Sequence, residues 1–85
     1  MKNRVLIIGG SGRIGSSVAA DLVAHTDAEI TITGRNTVTG KAVSSYLGSQ
    51  VQFLALDLAE KELLREAIAN SNIVIHCAGP FHYRD

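Results

Sequence analysis

The chain has 85 residues, 46% of them hydrophobic and 19% charged, with eight basic and eight acidic side chains and a formal net charge of zero. That length fits one small domain or part of one, and charge spread without long blocks of either sign argues against a nucleic-acid or membrane-surface partner held by bulk electrostatics. No run approaches the ~18 apolar residues a membrane helix needs, the N-terminal apolar run is too short for a secretory leader, and the single cysteine, Cys77, forms no internal disulfide, so a reduced, cytoplasmic protein is expected.

Arg4 to Ile8 is a short continuous apolar run and reads as a strand. Four glycines, Gly9, Gly10, Gly12 and Gly15, then fall within seven residues. From Arg13 onward, Ile14, Val18 and Leu22 recur at four-residue spacing, with Ala19 and Val23 beside them. That is one face of a helix ending near His25. Residues 28–34, AEITITG, are rich in β-branched side chains and read as a second strand. Residues 39–48, TGKAVSSYLG, form a weaker helix in which Val43 and Leu47 share a face and Gly48 is the stop. Residues 51–56, VQFLAL, are a third strand. Asp57 and Glu60 then have the spacing of a capping box, opening a helix whose inner face carries Leu63, Leu64, Ala67 and Ile68. Residues 72–77, NIVIHC, are a fourth strand, followed by AGPFHYRD.

Strands alternating with helices through short connections imply right-handed crossovers and a parallel sheet covered on both faces. Nearly all-apolar strand runs fit burial on both sides. The expected fold is therefore α/β, a Rossmann-type sheet of four strands in order 3-2-1-4. A doubly wound dinucleotide fold continues to about six strands, so the chain is expected to be an N-terminal fragment, truncated after the fourth strand and lacking a substrate domain. The fourth strand then has a bare edge, and bare edges pair, which makes self-association through that edge an expectation.

Gly10-Ser11-Gly12-Arg13-Ile14-Gly15 satisfies G-x-G-x-x-G between a predicted strand and a predicted helix, the context in which that motif signals dinucleotide binding. The first glycine allows the tight turn, the second admits the pyrophosphate, and the third lets helix and strand pack closely. The helix N-terminus adds free N–H groups and partial positive charge. Gly9, Gly12 and Gly15 also show the G-x-x-G-x-x-G spacing of extended and atypical short-chain dehydrogenases.

NAD-binding folds place an Asp or Glu at the end of the second strand, on the ribose 2′-hydroxyl. Here that place reads Thr33-Gly34-Arg35-Asn36, with an arginine and no carboxylate. An arginine makes charge-assisted hydrogen bonds to a 2′-phosphate, which a carboxylate would repel. The cofactor expected is NADP(H) in preference to NAD(H), with Arg35 as main determinant and Arg13 as a second cation. Asp57 either caps its helix or contacts the adenine amino group. Ala78, Gly79 and Pro80 bring small residues toward the same crevice, near the cofactor ribose.

VLIIGGSGRIG, TITGRN, LALDL and VIHCAGPFHYRD, in this order, resemble the NADP-binding N-terminal domain of the saccharopine dehydrogenase-like family. The resemblance covers essentially the whole chain. Its most specific parts are the GGSGRIG loop, the Gly34-Arg35 pair and the C-A-G-P-F segment. It implies a nicotinamide-dependent oxidoreductase whose substrate domain, acting on a small molecule, follows the cofactor half. The best-known members interconvert saccharopine with an amino acid and an aldehyde or keto acid; others have no assigned substrate. The alternative is an atypical short-chain dehydrogenase-like reductase, or a redox sensor that binds dinucleotide without turnover.

No catalytic pair stands out. Tyr46 and Tyr83 lack the lysine four residues on that short-chain dehydrogenases use. His25, His76 and His82 are too scattered for a metal site, and Cys77 reads as a small core residue rather than a nucleophile. The fragment itself is expected to be inactive.

Overall fold

The computed structural model describes residues 3–9, 13–57 and 59–77, with the backbone alone for Arg13 and Ile14. Its elements are β1 (Arg4–Ile8), α1 (Arg13–His25), β2 (Glu29–Gly34), α2 (Thr37–Leu47), β3 (Val51–Ala55), α3 (Lys61–Ala69) and β4 (Ile73–His76). The strands form one four-stranded sheet in the order β3-β2-β1-β4, and every pairing is parallel. In register, Ile7 sits between Ile32 of β2 and Ile75 of β4. This is the fold and the strand order expected. Among the described residues no helix is long and apolar enough to cross a membrane.

The core lies on one face of the sheet. Val5, Ile7, Ile30, Ile32 and Val51 project from the strands onto Ala19 of α1 and Ala28, with Val18, Leu22, Val23, Val43 and Leu47 packed around them. The helical periodicity from Val18 to Val23 is therefore the buried stripe of α1. Gln50 closes the amino end of this layer. Its Nε2 donates to the carbonyls of Thr26 at 3.0 Å and Ala28 at 2.9 Å, tying the α1–β2 connection to the entry of β3.

The opposite face is thinner, which corrects the expectation of a sheet buried on both sides. Only β1 is buried along both faces, from Val5 to Ile8. In β2, Ile30 and Ile32 alternate with Thr31 and Thr33; Thr31 accepts a hydrogen bond from Gln52 of β3. Leu54, Ile73 and Val74 are exposed. α3 buries no residue completely. Of its expected inner face, Leu64 and Ala67 are half-buried, whereas Leu63 and Ile68 are 43% and 42% exposed. One helix does not cover a four-stranded face, so its apolar stripe is only partly used.

Local signals fix the helix ends. α2 starts at Thr37, two residues before the predicted start, because Asn36 caps it: Asn36 Oδ1 accepts from the Thr39 N–H at 3.0 Å. It stops at Gly48, as expected. Gly48 has φ 108° and donates its N–H to the Ser44 carbonyl at 3.1 Å. The Asp57–Glu60 box forms a turn ahead of α3 rather than its first turn. Glu60 Oε1 accepts from the Asp57 N–H, Asp57 Oδ1 accepts from the Ala59 N–H, both at 3.0 Å, and the helix begins at Lys61.

Gly40 is the buried residue of α2, and the Phe53 ring of β3 occupies the space where a Cβ on Gly40 would stand. Helix and strand approach closely only because that side chain is missing. Gly40→Ala therefore gains up to ~1 kcal/mol of helix propensity and loses more by overpacking, which costs about 1–3 kcal/mol. A lowered melting temperature is expected. Adding Phe53→Leu should recover part of the loss, and strictly additive losses in the double variant would show that the ring is not the obstacle.

Candidate cofactor-binding site

The carboxyl ends of β1, β2 and β3 open into a cleft of about 320 Å³. Gly9 forms its floor where the chain leaves β1, Gly34 and Arg35 stand at the end of β2, and Leu56 and Asp57 follow β3. Ligands of open α/β sheets bind at this end, where the strand order reverses. Here it reverses at β1, between β2 and β4. A second cleft, of about 360 Å³, lies over the thin face and is bordered by Leu6, Thr31 and Ala67. Arg4 and Glu29, at the amino ends of β1 and β2, also line it, so it lies away from the carboxyl ends.

Gly9 has φ 82°, a conformation that side-chain-bearing residues rarely adopt. Among the described residues only Gly9 and Gly48 have positive φ. The need for a glycine thus already falls one position before the G-x-G-x-x-G string. Gly15 is buried in the first turns of α1, which suits a glycine that lets helix and strand pack closely. Arg13 opens α1, and Ile14 follows it in the same turn. Gly10, Ser11, Gly12, Ala78 and Gly79 lie outside the described residues, as do Pro80, His82 and Tyr83.

Arg35 is exposed and lines the cleft. Its position follows from local chemistry: β2 ends at Gly34, Asn36 caps α2, and Arg35 is the single residue between them. Its guanidinium has no ion-pair or hydrogen-bond partner among the described residues. Asp57, half-buried, has one carboxylate oxygen engaged by the Ala59 N–H. That bond closes the turn ahead of α3, so Asp57 does not cap the helix itself. At the far side, the Cys77 N–H donates to the Ile8 carbonyl at 2.7 Å, so the chain leaves β4 beside the end of β1. No three His, Cys, Asp or Glu side chains gather into a metal-binding group among the described residues.

A turn of backbone at a glycine, a helix N-terminus after it and an exposed cation at the end of β2 fit a phosphorylated dinucleotide. A family model described as the saccharopine dehydrogenase NADP binding domain matches residues 5–85. The chain belongs to this family. NADP is accordingly its cofactor, as Arg35 predicts, and its place is the NADP-binding domain of an oxidoreductase family.

Solved structures agree on the fold. A short-chain dehydrogenase/reductase family protein superposes with a TM-score of 0.79 at 24% identity, over 96% of this chain and 38% of its own. The PbgP3 protein from Burkholderia pseudomallei gives 0.76 at 19% identity, over 89% of this chain and 25% of its own. A short-chain dehydrogenase/reductase of the wide type from Veillonella parvula, solved in complex with NADP, gives 0.72 at 24% identity, over 89% and 35%. The chain thus spans between 25% and 38% of the length of these three structures.

Two residues of the site were not singled out from the sequence. Asn36 announces the cap of α2 through its place just before the helix. In the sequence Thr33 is only part of a segment without a carboxylate. The Ile-Thr-Ile-Thr alternation of β2 was its one visible signal.

Proposed function

We propose that residues 9–15 cradle the pyrophosphate of NADP(H) and that Arg35 selects the cofactor by its 2′-phosphate. The observation that carries this reading is the exposed Arg35 guanidinium lining the cleft, without an ion-pair or hydrogen-bond partner among the described residues, where NAD-specific folds put a carboxylate. The backbone of Gly10, Ser11, Gly12, Arg13, Ile14 and Gly15 takes the pyrophosphate, with the α1 N-terminus behind it. Arg13 is the second cation. Asp57 faces the adenine amino group, and Ala78 and Gly79 pass close to the ribose.

In the complete enzyme the cofactor supplies hydride chemistry, and a substrate domain beyond this one supplies the small-molecule substrate and the acid or base. We assign the chain to the N-terminal cofactor half of such an enzyme in the cytoplasm, where the lone thiol of Cys77 stays reduced. Self-association through the β4 edge, where Ile73 and Val74 are exposed, belongs to the same proposal.

Arg35→Asp is expected to weaken NADP⁺ binding by more than tenfold, since each charge-assisted bond to the phosphate contributes about 1.5–3 kcal/mol, and to leave NAD⁺ binding nearly unchanged. Equal losses for both, measured by titration calorimetry, would remove Arg35 from the 2′-phosphate. Gly12→Val is expected to abolish binding of both dinucleotides with little change in melting temperature. Retained binding would put the pyrophosphate elsewhere.

A further inference from the structure

We infer that Thr33 is a positioning residue that sets the phosphate-binding turn from the neighbouring strand. Thr33 is the one buried polar side chain among the described residues, at 1% exposure. Its hydroxyl accepts a hydrogen bond from the Gly9 N–H at 3.1 Å and donates to the Ile7 carbonyl at 3.3 Å. Both contacts cross from the end of β2 to the end of β1, and they bracket Ile8 at the point where the chain turns into the glycine loop.

A valine would fill the same space, so packing alone does not call for the hydroxyl. Burying a hydroxyl is unfavourable unless it is bonded, and here both of its bonds go to the backbone that leads into the loop. Gly9 needs that support. A glycine reaches φ 82° without strain, but it reaches many other conformations as readily. The bond from its N–H to Thr33 selects one of them before any ligand arrives. A preorganised turn binds more tightly because less ordering remains to be done on binding.

The same residue leads directly into Gly34 and Arg35. One hydroxyl thereby fixes the start of the loop relative to the end of β2. The inference rests on the dinucleotide reading above, and it separates Thr33 from Arg35 by effect. Arg35 discriminates between cofactors; Thr33 acts on the part of the site that NADP and NAD share.

The test compares Thr33→Val and Thr33→Ser with the unchanged full chain, titrated with NADP⁺ and with NAD⁺. Thr33→Val should weaken both cofactors by the same factor, about tenfold for one lost hydrogen bond. Thr33→Ser, which keeps the hydroxyl, should restore binding. Full affinity in Thr33→Val, a loss confined to NADP⁺, or no rescue by serine would each overturn the inference while leaving the cofactor reading standing. If the unchanged chain binds neither dinucleotide, both fall together. Amide hydrogen exchange on the unchanged chain gives an arm that needs no variant to fold. The Gly9 amide should be protected in the absence of ligand, and exchange at the rate of an open loop would overturn the inference.

Discussion

The crevice exists because the chain reverses its direction of travel across β1. From β1 it steps outward to β2 and then to β3; it then crosses back to lay β4 on the other flank of β1. With right-handed crossovers, the connections on the two sides leave toward opposite faces of the sheet. The carboxyl end of β1 lies at the gap where these connections part. Each residue of the candidate site described here derives its place from that gap: Gly9 at its base, Arg35 and Asp57 along one side, Cys77 at the other.

The same reversal explains the unequal faces. α1 and α2 belong to consecutive outward steps and lie together on one face, where they cover Val5, Ile7, Ile30, Ile32 and Val51. Their close fit on β3 depends on the missing side chain of Gly40. α3 belongs to the return step and meets the other face alone, with no fully buried residue. The better-packed layer is thus the one that holds α1, and α1 presents its N-terminus from that layer. A phosphate site built on the well-packed face has support that a site on the other face would lack.

Strand order, helix order and the place of the glycine loop were legible in the sequence, because they follow from alternating apolar periods and from Gly, Asn and Asp at their ends. The face assignment of α3 was not. Leu63 and Ile68 have the spacing of an inner stripe, but spacing says nothing about how much protein is present to cover it. The exposure of β3 and β4 was missed for the same reason. Among site residues, Arg35 could be read from its position after β2, since the argument needs only its charge and the absence of a carboxylate. Thr33 could not be read, because its role depends on which backbone amide its hydroxyl meets across the sheet.

The central claim is that this crevice takes NADP through its 2′-phosphate, and matched thermal melts test it most directly. With a cofactor at about 100 times its dissociation constant, stabilisation is ~2.7 kcal/mol, which raises the melting temperature of a domain this small by roughly 10–20 °C. The account predicts a shift of that order with NADP⁺ and a clearly smaller one with NAD⁺ at the same concentration. Equal shifts, or a larger one with NAD⁺, would contradict it.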